Sequence, residues 1–330
     1  MEGAGRRPRE QDLITTLTMN PAIDLALRIE QWQPRIKLRA EAPRRFPGGG
    51  GINCARVIQR LGGEALALYA AGGPEGARLE EMLAAAGIDG RRVDIEAPTR
   101  QSVTLEISAE EESYHIVPPG ASLERREWQR CLAALEEQLA SGSQYLILSG
   151  SLPGGVPAGF YARATEISRR EGVPVALDTS GTALEHALHE RVDLVKPNRQ
   201  ELSRLGGKPE HPEACARRLI DQGAARIVVI TLGAEGVLLA TQDDVTRLPV
   251  PDVEPVSLLG AGDSLLGACV LALSRGAAPQ EACRWGAAAA AATGLTAGTR
   301  LFHRHQVERL YRRAELQKTP AHSRASGGSE

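Results

Sequence analysis

Aromatic residues make up only 3% of this 330-residue chain, so its core must be built from Leu, Val, Ile and Ala. The five cysteines, Cys54, Cys131, Cys215, Cys269 and Cys283, are scattered and form no CxxC pair. That excludes a disulfide scaffold and a cysteine zinc site, and it reads as reduced thiols of the cytoplasm. Net charge is −2, too little positive charge to hold a nucleic acid by bulk electrostatics, so no such partner is expected. No apolar run reaches the ~18 residues of a membrane span. The nearest is the Ala-rich stretch 286–297, which carries threonine. Membrane partners are therefore not expected either. Histidines are scattered without metal-ligand spacing, and there is no GxSxG and no Gly-Lys-Ser/Thr of a Walker loop. Residues 1–11 are charged and lack the apolar centre of a secretion signal. They and the polar, Ser/Gly-rich 315–330 are expected to be disordered tails.

What is present is a regular alternation. Apolar, β-rich runs at Leu13–Met19, Ala65–Ala71, Tyr145–Leu148, Val173–Leu177, Leu194–Val195 and Arg226–Ile230 read as buried strands. Between them, helices are predicted at Cys54–Leu61, Pro74–Ala86, Leu123–Leu139, Pro157–Arg170, near Ala183–Leu188, from Lys196-Pro197-Asn198, and at His211–Gln222. This is the pattern of an α/β fold with a doubly wound, mostly parallel sheet over 12–314. Ile23–Ile29, Ile36–Ala42 and the hairpin Gln101–Ile107/Ser113–Val117 lack helical crossovers. They predict a small projecting sheet from about 22–42 and 99–118. In doubly wound sheets ligands bind beyond the carboxyl ends of the strands. Ser149-Gly150-Ser151, Asp178, Lys196-Pro197-Asn198 and Thr231-Leu232-Gly233 all fall at such ends, which points to one cleft.

Two glycine-rich stretches stand out. Gly260-Ala261-Gly262-Asp263 opens an Ala/Leu-rich helix. Unpaired N–H groups at a helix N-terminus make an anion site, and Asp263 puts a carboxylate in the same turn. The same pattern also fits an acidic residue that merely favours the helix dipole. Gly48-Gly49-Gly50-Gly51, followed by Asn53, would let backbone approach a ligand closely, although alone it equally fits a surface turn. Asp24 could accept hydrogen bonds from sugar hydroxyls, or could equally cap a turn or a helix. Arg100 suits bidentate phosphate binding, although a surface arginine is the commoner case, and Lys37 and Arg39 either reach an anion or lie solvated on an edge strand. Asn198 and Glu201 could hold Mg²⁺ through water, or could form a plain capping box.

Together, Gly48-Gly49-Gly50-Gly51-Ile52-Asn53 and Leu259-Gly260-Ala261-Gly262-Asp263-Ser264 resemble the paired motifs of the PfkB (ribokinase-like) family of sugar kinases. Further resemblance lies in Leu17 to Asp24, Thr99-Arg100-Gln101, Pro119-Gly120-Ala121, Ser149 to Pro153 and Val195 to Asn198. It covers about Ile14 to Arg313 and is greatest to members acting on fructose 6-phosphate. Kinases of fructose 1-phosphate or tagatose 6-phosphate are close relatives and usually carry Lys in place of Gly50. A sugar-phosphate-binding protein without catalysis is the alternative of a different class.

The resemblance implies a ribokinase-like fold with a projecting β-sheet lid, and ATP-dependent phosphorylation of the 1-hydroxyl. Asp263 would be the base and Gly260, Ala261 and Gly262 the anion hole. Asp24, Gly48–Gly51 and Asn53 would hold the sugar; Arg100 and Ser151, with Lys37 and Arg39, would hold its 6-phosphate. Lys196, Asn198 and Glu201 would serve the ATP phosphates and Mg²⁺, while Thr231 and Gly233 would line the nucleotide site. A K⁺ site would match Ser257, Leu259, Thr293, Thr296, Gly298 and Arg300. Leu258 and Thr296 depart from the usual Thr and Asn there. A homodimer through the lid sheet is implied as well.

Overall fold

The computed structural model describes residues 13–316, apart from 111, 209 and 297–299. The central sheet forms from apolar segments whose successive side chains point to opposite faces. In chain order its strands are β1 (Leu13–Thr18), β4 (Glu64–Ala71), β5 (Asp89–Asp94), β8 (Tyr145–Ser149), β9 (Val175–Asp178), β10 (Val192–Val195), β11 (Ala225–Thr231), β12 (Val237–Ala240) and β13 (Val245–Leu248). The missing numbers belong to the lid: β2 (Ala22–Ile29), β3 (Arg44–Gly48), β6 (Arg100–Ile107) and β7 (Glu112–Ile116). The helices are α1 (Gly50–Arg60), α2 (Gly73–Ala85), α3 (Arg125–Ala140), α4 (Phe160–Arg170), α5 (Gly181–Leu188), α6 (Pro212–Asp221), α7 (Ala261–Ser274), α8 (Pro279–Gly294) and α9 (Arg304–Leu316).

The large sheet has the order β13-β12-β11-β10-β9-β8-β1-β4-β5. It is parallel from β11 to β5, with an antiparallel β12–β13 edge. Alternation sorts its side chains into two cores. Leu146 and Leu148 of β8, with Val228 and Ile230 of β11, pack under α3, α4, α5 and α6. Tyr145, Ile147 and Val229 face the other way, against α1, α7, α8 and α9. Both faces are thus covered, as a parallel sheet requires. After β1 the chain builds outward to β5, then returns to place β8 on the other side of β1. A crevice beyond the ends of β1 and β8 is the consequence.

The lid sheet has the order β3-β2-β6-β7, with β2 and β6 parallel. The expected strand over 36–42 does not form. Pro34 and Arg35, the latter at φ 66, turn the chain. Residues 37–41 then run as loop, and β2 pairs instead with β3, which leads straight into the glycine run. Helix α1 likewise starts at Gly50 and not at Cys54, because the glycines themselves take the first turn. The helix expected after Asn198 is only a 3₁₀ turn, Glu201–Ser203. Gly206, at φ 72, ends it before a full α-helical length is reached. α9 runs to Leu316, past the expected start of the C-terminal tail, and the remainder of both tails lies outside the described residues. All five cysteines are buried and unpaired. Among the described residues no helix is long and apolar enough to cross a membrane; the Ala-rich α8 packs into the core instead.

Candidate active site

The N-termini of α7 and α1 converge over the crevice. Gly260 caps α7 in the left-handed region, at φ 74, with open space where a side chain would stand. The next residues, Ala261, Gly262 and Asp263, form the first turn; Ala261 N donates to Leu258 O at 3.3 Å, while the Gly262 and Asp263 N–H groups are among those a helix leaves unpaired. Asp263 is half-buried. Asn53 Nδ2 donates to its Oδ2 at 2.9 Å, and Cys54 Sγ donates to its carbonyl at 3.4 Å. Burial pushes the Asp263 carboxyl up to about 7. The Asp178 charge adds to this, while the Asn53 hydrogen bond and Lys196 pull the other way. A carboxyl poised near neutrality can take a proton from a hydroxyl at physiological pH.

All four glycines are explained by close approach, since a Cβ on any of them would stand under 3.0 Å from a neighbouring side chain. A Cβ on Gly50 would run into Ser149 Oγ, and one on Gly51 would stand 2.5 Å from Thr18 Oγ1. Only hydrogen fits between α1 and the ends of β1 and β8. Thr18 Oγ1 also accepts from Ile52 N at 2.9 Å, satisfying one first-turn donor of α1. Gly48 closes β3 directly against the carboxylate of Asp24 in β2, and Gly49 makes the turn into α1. Asp24 is 8% exposed.

On the other side of Asp263 lies Lys196, 5% exposed, with Nζ 3.1 Å from Asp178 Oδ1. Burial opposes the Lys196 charge, but Asp178 outweighs it, with help from Asp263 and Glu201, so the ammonium is held charged. A Cβ on Gly262 would lie 3.3 Å from that nitrogen, which places a fixed cation beside the first turn of α7. Asp178 ends β9, and sequence reasoning gave it a place but no role. Asn198 and Glu201 form the capping box: Glu201 N donates to Asn198 Oδ1 at 3.0 Å and Asn198 N to Glu201 Oε2 at 2.9 Å. Burial raises the Glu201 carboxyl. A cavity of about 350 Å³ opens beside them, lined also by Ser180 and Arg204. Thr231 bridges to Asn198 along the sheet, and Gly233 follows at φ 65 with open space above it.

Arg100 begins β6 at the base of the lid, in register with Ala22. Its two terminal nitrogens donate to Pro118 O and Asn20 O, both at 3.0 Å, while its buried Nε has no partner. Burial lowers its pKa and Asp24 offsets this. Asn20 Nδ2 donates to Ser151 Oγ at 3.0 Å, so Asn20 ties Ser151 to Arg100. Sequence reasoning placed Asn20 within the Leu17 to Asp24 stretch and gave it no role of its own. Lys37 and Arg39 are exposed on the 37–41 loop and make no hydrogen bond or ion pair among the described residues. They stand on the loop between β2 and β3, not on a strand.

The loop before α7 meets the end of α8. Val256 N and Ser257 N donate to Gly294 O at 2.7 and 3.2 Å, and Leu259 N donates to Ser257 Oγ at 3.2 Å. Thr293 Oγ1 lies 2.7 Å from Ser264 Oγ in α7, and Thr296 Oγ1 reaches the carbonyls of Thr293 and Arg300. These residues gather neutral oxygens behind the turn that carries Asp263. Gly298 lies outside the described residues.

Against known proteins, a family model described as pfkB family carbohydrate kinase matches residues 15–304. The ATP-dependent 6-phosphofructokinase isozyme 2 of Mycobacterium tuberculosis is 42% identical over 302 residues, 90% of this chain and 88% of the relative. The crystal structure of phosphofructokinase-2 from Escherichia coli in complex with potassium has a TM-score of 0.86 at 36% identity, covering 92% of this chain and 99% of that one. The same protein in complex with fructose-6-phosphate gives 0.84 at 35% identity, with the same coverage.

Proposed function

The chain belongs to the pfkB family of carbohydrate kinases, and from that premise we propose that it phosphorylates fructose 6-phosphate at the 1-hydroxyl. The products are fructose 1,6-bisphosphate and ADP. One observation carries the chemistry: the first turn of α7 holds a carboxyl poised near neutrality beside the Gly262 and Asp263 N–H groups, with the Lys196 ammonium alongside. Substrate choice rests on the 42% identity to a 6-phosphofructokinase over most of both chains.

In this reading Asp263 takes the proton from the 1-hydroxyl as that oxygen attacks the γ-phosphorus of ATP. The bond from phosphorus to the β,γ-bridging oxygen breaks and ADP leaves. Charge developing on the phosphoryl oxygens meets the Gly260–Gly262 backbone and Lys196. Asp178 keeps Lys196 charged and aimed. Asp24, the Gly48–Gly51 backbone and Asn53 line the sugar pocket. Arg100, with its unpartnered Nε, and Ser151 take the 6-phosphate. Asn198, Glu201, Thr231 and Gly233 serve the nucleotide.

No group of three or more His, Cys, Asp or Glu able to cage a metal exists among the described residues. Asp178 Oδ1 is engaged by Lys196, and Glu201 Oε2 and Asn198 Oδ1 by the capping box. That donor set fits Mg²⁺ that keeps its waters and arrives with ATP, where it would neutralise phosphate charge. We assign a K⁺ ion to the neutral oxygens around Ser257, Leu259, Thr293, Thr296 and Arg300. Turnover that is equal in KCl and in tetramethylammonium chloride would remove it. Strand β7 is exposed along its whole length. Tyr114 and Ile116 on it, with Val117, are apolar and open to solvent, which supports a homodimer through the lid. Buried unpaired thiols accord with a cytoplasmic protein.

The test of the mechanism is Asp263→Asn. The variant is expected to bind both substrates with near-parental affinity and to lose nearly all turnover. A variant that kept most of its kcat would remove Asp263 as the base.

A further inference from the structure

Asn53 has two faces that differ only in which end of the amide they present. One meets Asp263, the other meets Arg56, three residues further along α1. Arg56 Nη1 donates to Asn53 Oδ1 at 3.0 Å and to Pro47 O, at the end of β3, also at 3.0 Å. A guanidinium can only donate. It therefore fixes the Asn53 carbonyl on its own side and leaves the Asn53 NH₂ for Asp263. With the amide reversed, a carbonyl oxygen would face the carboxylate and oppose its ionisation.

We propose that Arg56 is a positioning residue that sets the orientation of Asn53, and through it the ionised, hydrogen-bonded state of the base Asp263. This rests on the kinase reading for its activity assay but not for its geometry. Arg56 is half-buried on α1, and its contacts include the Asn53 side chain and the Pro47 backbone. The charged groups around Arg56 are Asp24 of β2, Arg60 of α1 and Asp263 of α7. Those around Asp263 are Asp178 from β9, Lys196 after β10 and Asp24. Asp263 itself accepts from the Asn53 NH₂, and Arg56 holds the same amide orientation from the other end, so the two contacts select one orientation together. Its double contact also ties the end of β3 to α1, across the glycine run between them.

The experiment combines Arg56→Met, Arg56→Lys and Asn53→Ala. Arg56→Met is expected to lower kcat by up to about 10²-fold, the scale of a misplaced catalytic group. Both KM values should stay within about 2-fold, and the acid limb of kcat/KM should move to higher pH. Arg56→Lys keeps a charged donor and should recover most of the loss. In the Asn53→Ala background, Arg56→Met should cost less than about 2-fold more, since the hydrogen-bonded route through Asn53 is already gone. An unmoved acid limb, or losses that multiply in the double variant, would overturn the proposal. If Arg56→Met does not fold, Arg56→Gln takes its place with the same expectations. A readout free of turnover separates this from the kinase reading. The difference in melting temperature between each variant and its Asp263→Asn derivative, followed against pH, reports the Asp263 titration directly. That titration should move up in Arg56→Met whatever the substrate is, and a titration that stays in place rejects the Arg56 role even if the kinase assignment holds.

Discussion

Asp263 should be visible to two independent assays through one titration. Its carboxyl is raised from 3.8 to about 7, first by burial and then by Asp178. The sign follows from proton binding. Between those values the folded protein holds a proton that the unfolded chain has released, so stability falls as pH rises from about 4 to about 7 and stays reduced above. At ~1.36 kcal/mol per pH unit the full displacement is worth about 4 kcal/mol. Asp263 is only half-buried, and water on the cleft side screens part of this, leaving about 2 kcal/mol. For a chain of this size that corresponds to about 3 °C in melting temperature. Asp263→Asn removes the titration. Its melting temperature should therefore match the parent near pH 4 and exceed it by about 3 °C at pH 8. The same group, needed ionised, should give kcat/KM an acid limb near pH 7 with a slope of one proton. Differential scanning fluorimetry of the pair across pH, beside a pH–rate profile, makes the comparison. Parallel melting curves at all pH values, or an acid limb near pH 4, would refute the assignment of a neutral-range base to Asp263.

Three further outcomes follow from individual contacts. Arg100→Ala should raise the KM for the phosphosugar far more than that for ATP, in steady-state kinetics varying each substrate; equal effects would take Arg100 out of the 6-phosphate site. Gly50→Ala should destabilise the fold by about 1–3 kcal/mol and depress kcat, because its methyl must displace α1 from Ser149 and with it Asn53 from Asp263. Urea unfolding and turnover check this, and a fully active, equally stable variant would contradict the steric account. Ile116→Asp, on the exposed strand β7, should shift the protein toward monomer in sedimentation velocity, and an unchanged distribution would argue against the lid as the interface.

The strand–helix alternation was legible because period-2 apolar runs such as Tyr145–Leu148 mark a sheet covered on both faces. Once strand ends were placed, Asp178, Lys196 and Thr231 fell at one edge of the sheet without further knowledge. The glycine runs were legible as sites of close approach. What they approach was not: Gly50 depends on Ser149, and Gly51 on Thr18, contacts set by which strands adjoin β1. The Asn20–Ser151 hydrogen bond joins segments that only the fold brings together. The 36–42 segment misled because its alternation fits a strand, while Pro34 and the better register of Arg44–Gly48 with β2 decide the pairing. Arg56 carried a usable signal, since it stands one helical turn from Asn53 and shares its face. Nothing in the sequence, however, showed that Asn53 would turn toward Asp263.

The central claim is that this site phosphorylates fructose 6-phosphate on its 1-hydroxyl. Coupled ADP release with fructose 6-phosphate, fructose 1-phosphate, tagatose 6-phosphate and free fructose tests it most directly, with ³¹P NMR of the product to locate the new ester. The account predicts the highest kcat/KM on fructose 6-phosphate and a 1,6-bisphosphate product. A higher kcat/KM on fructose 1-phosphate, or no ADP release with any of the four, would contradict it.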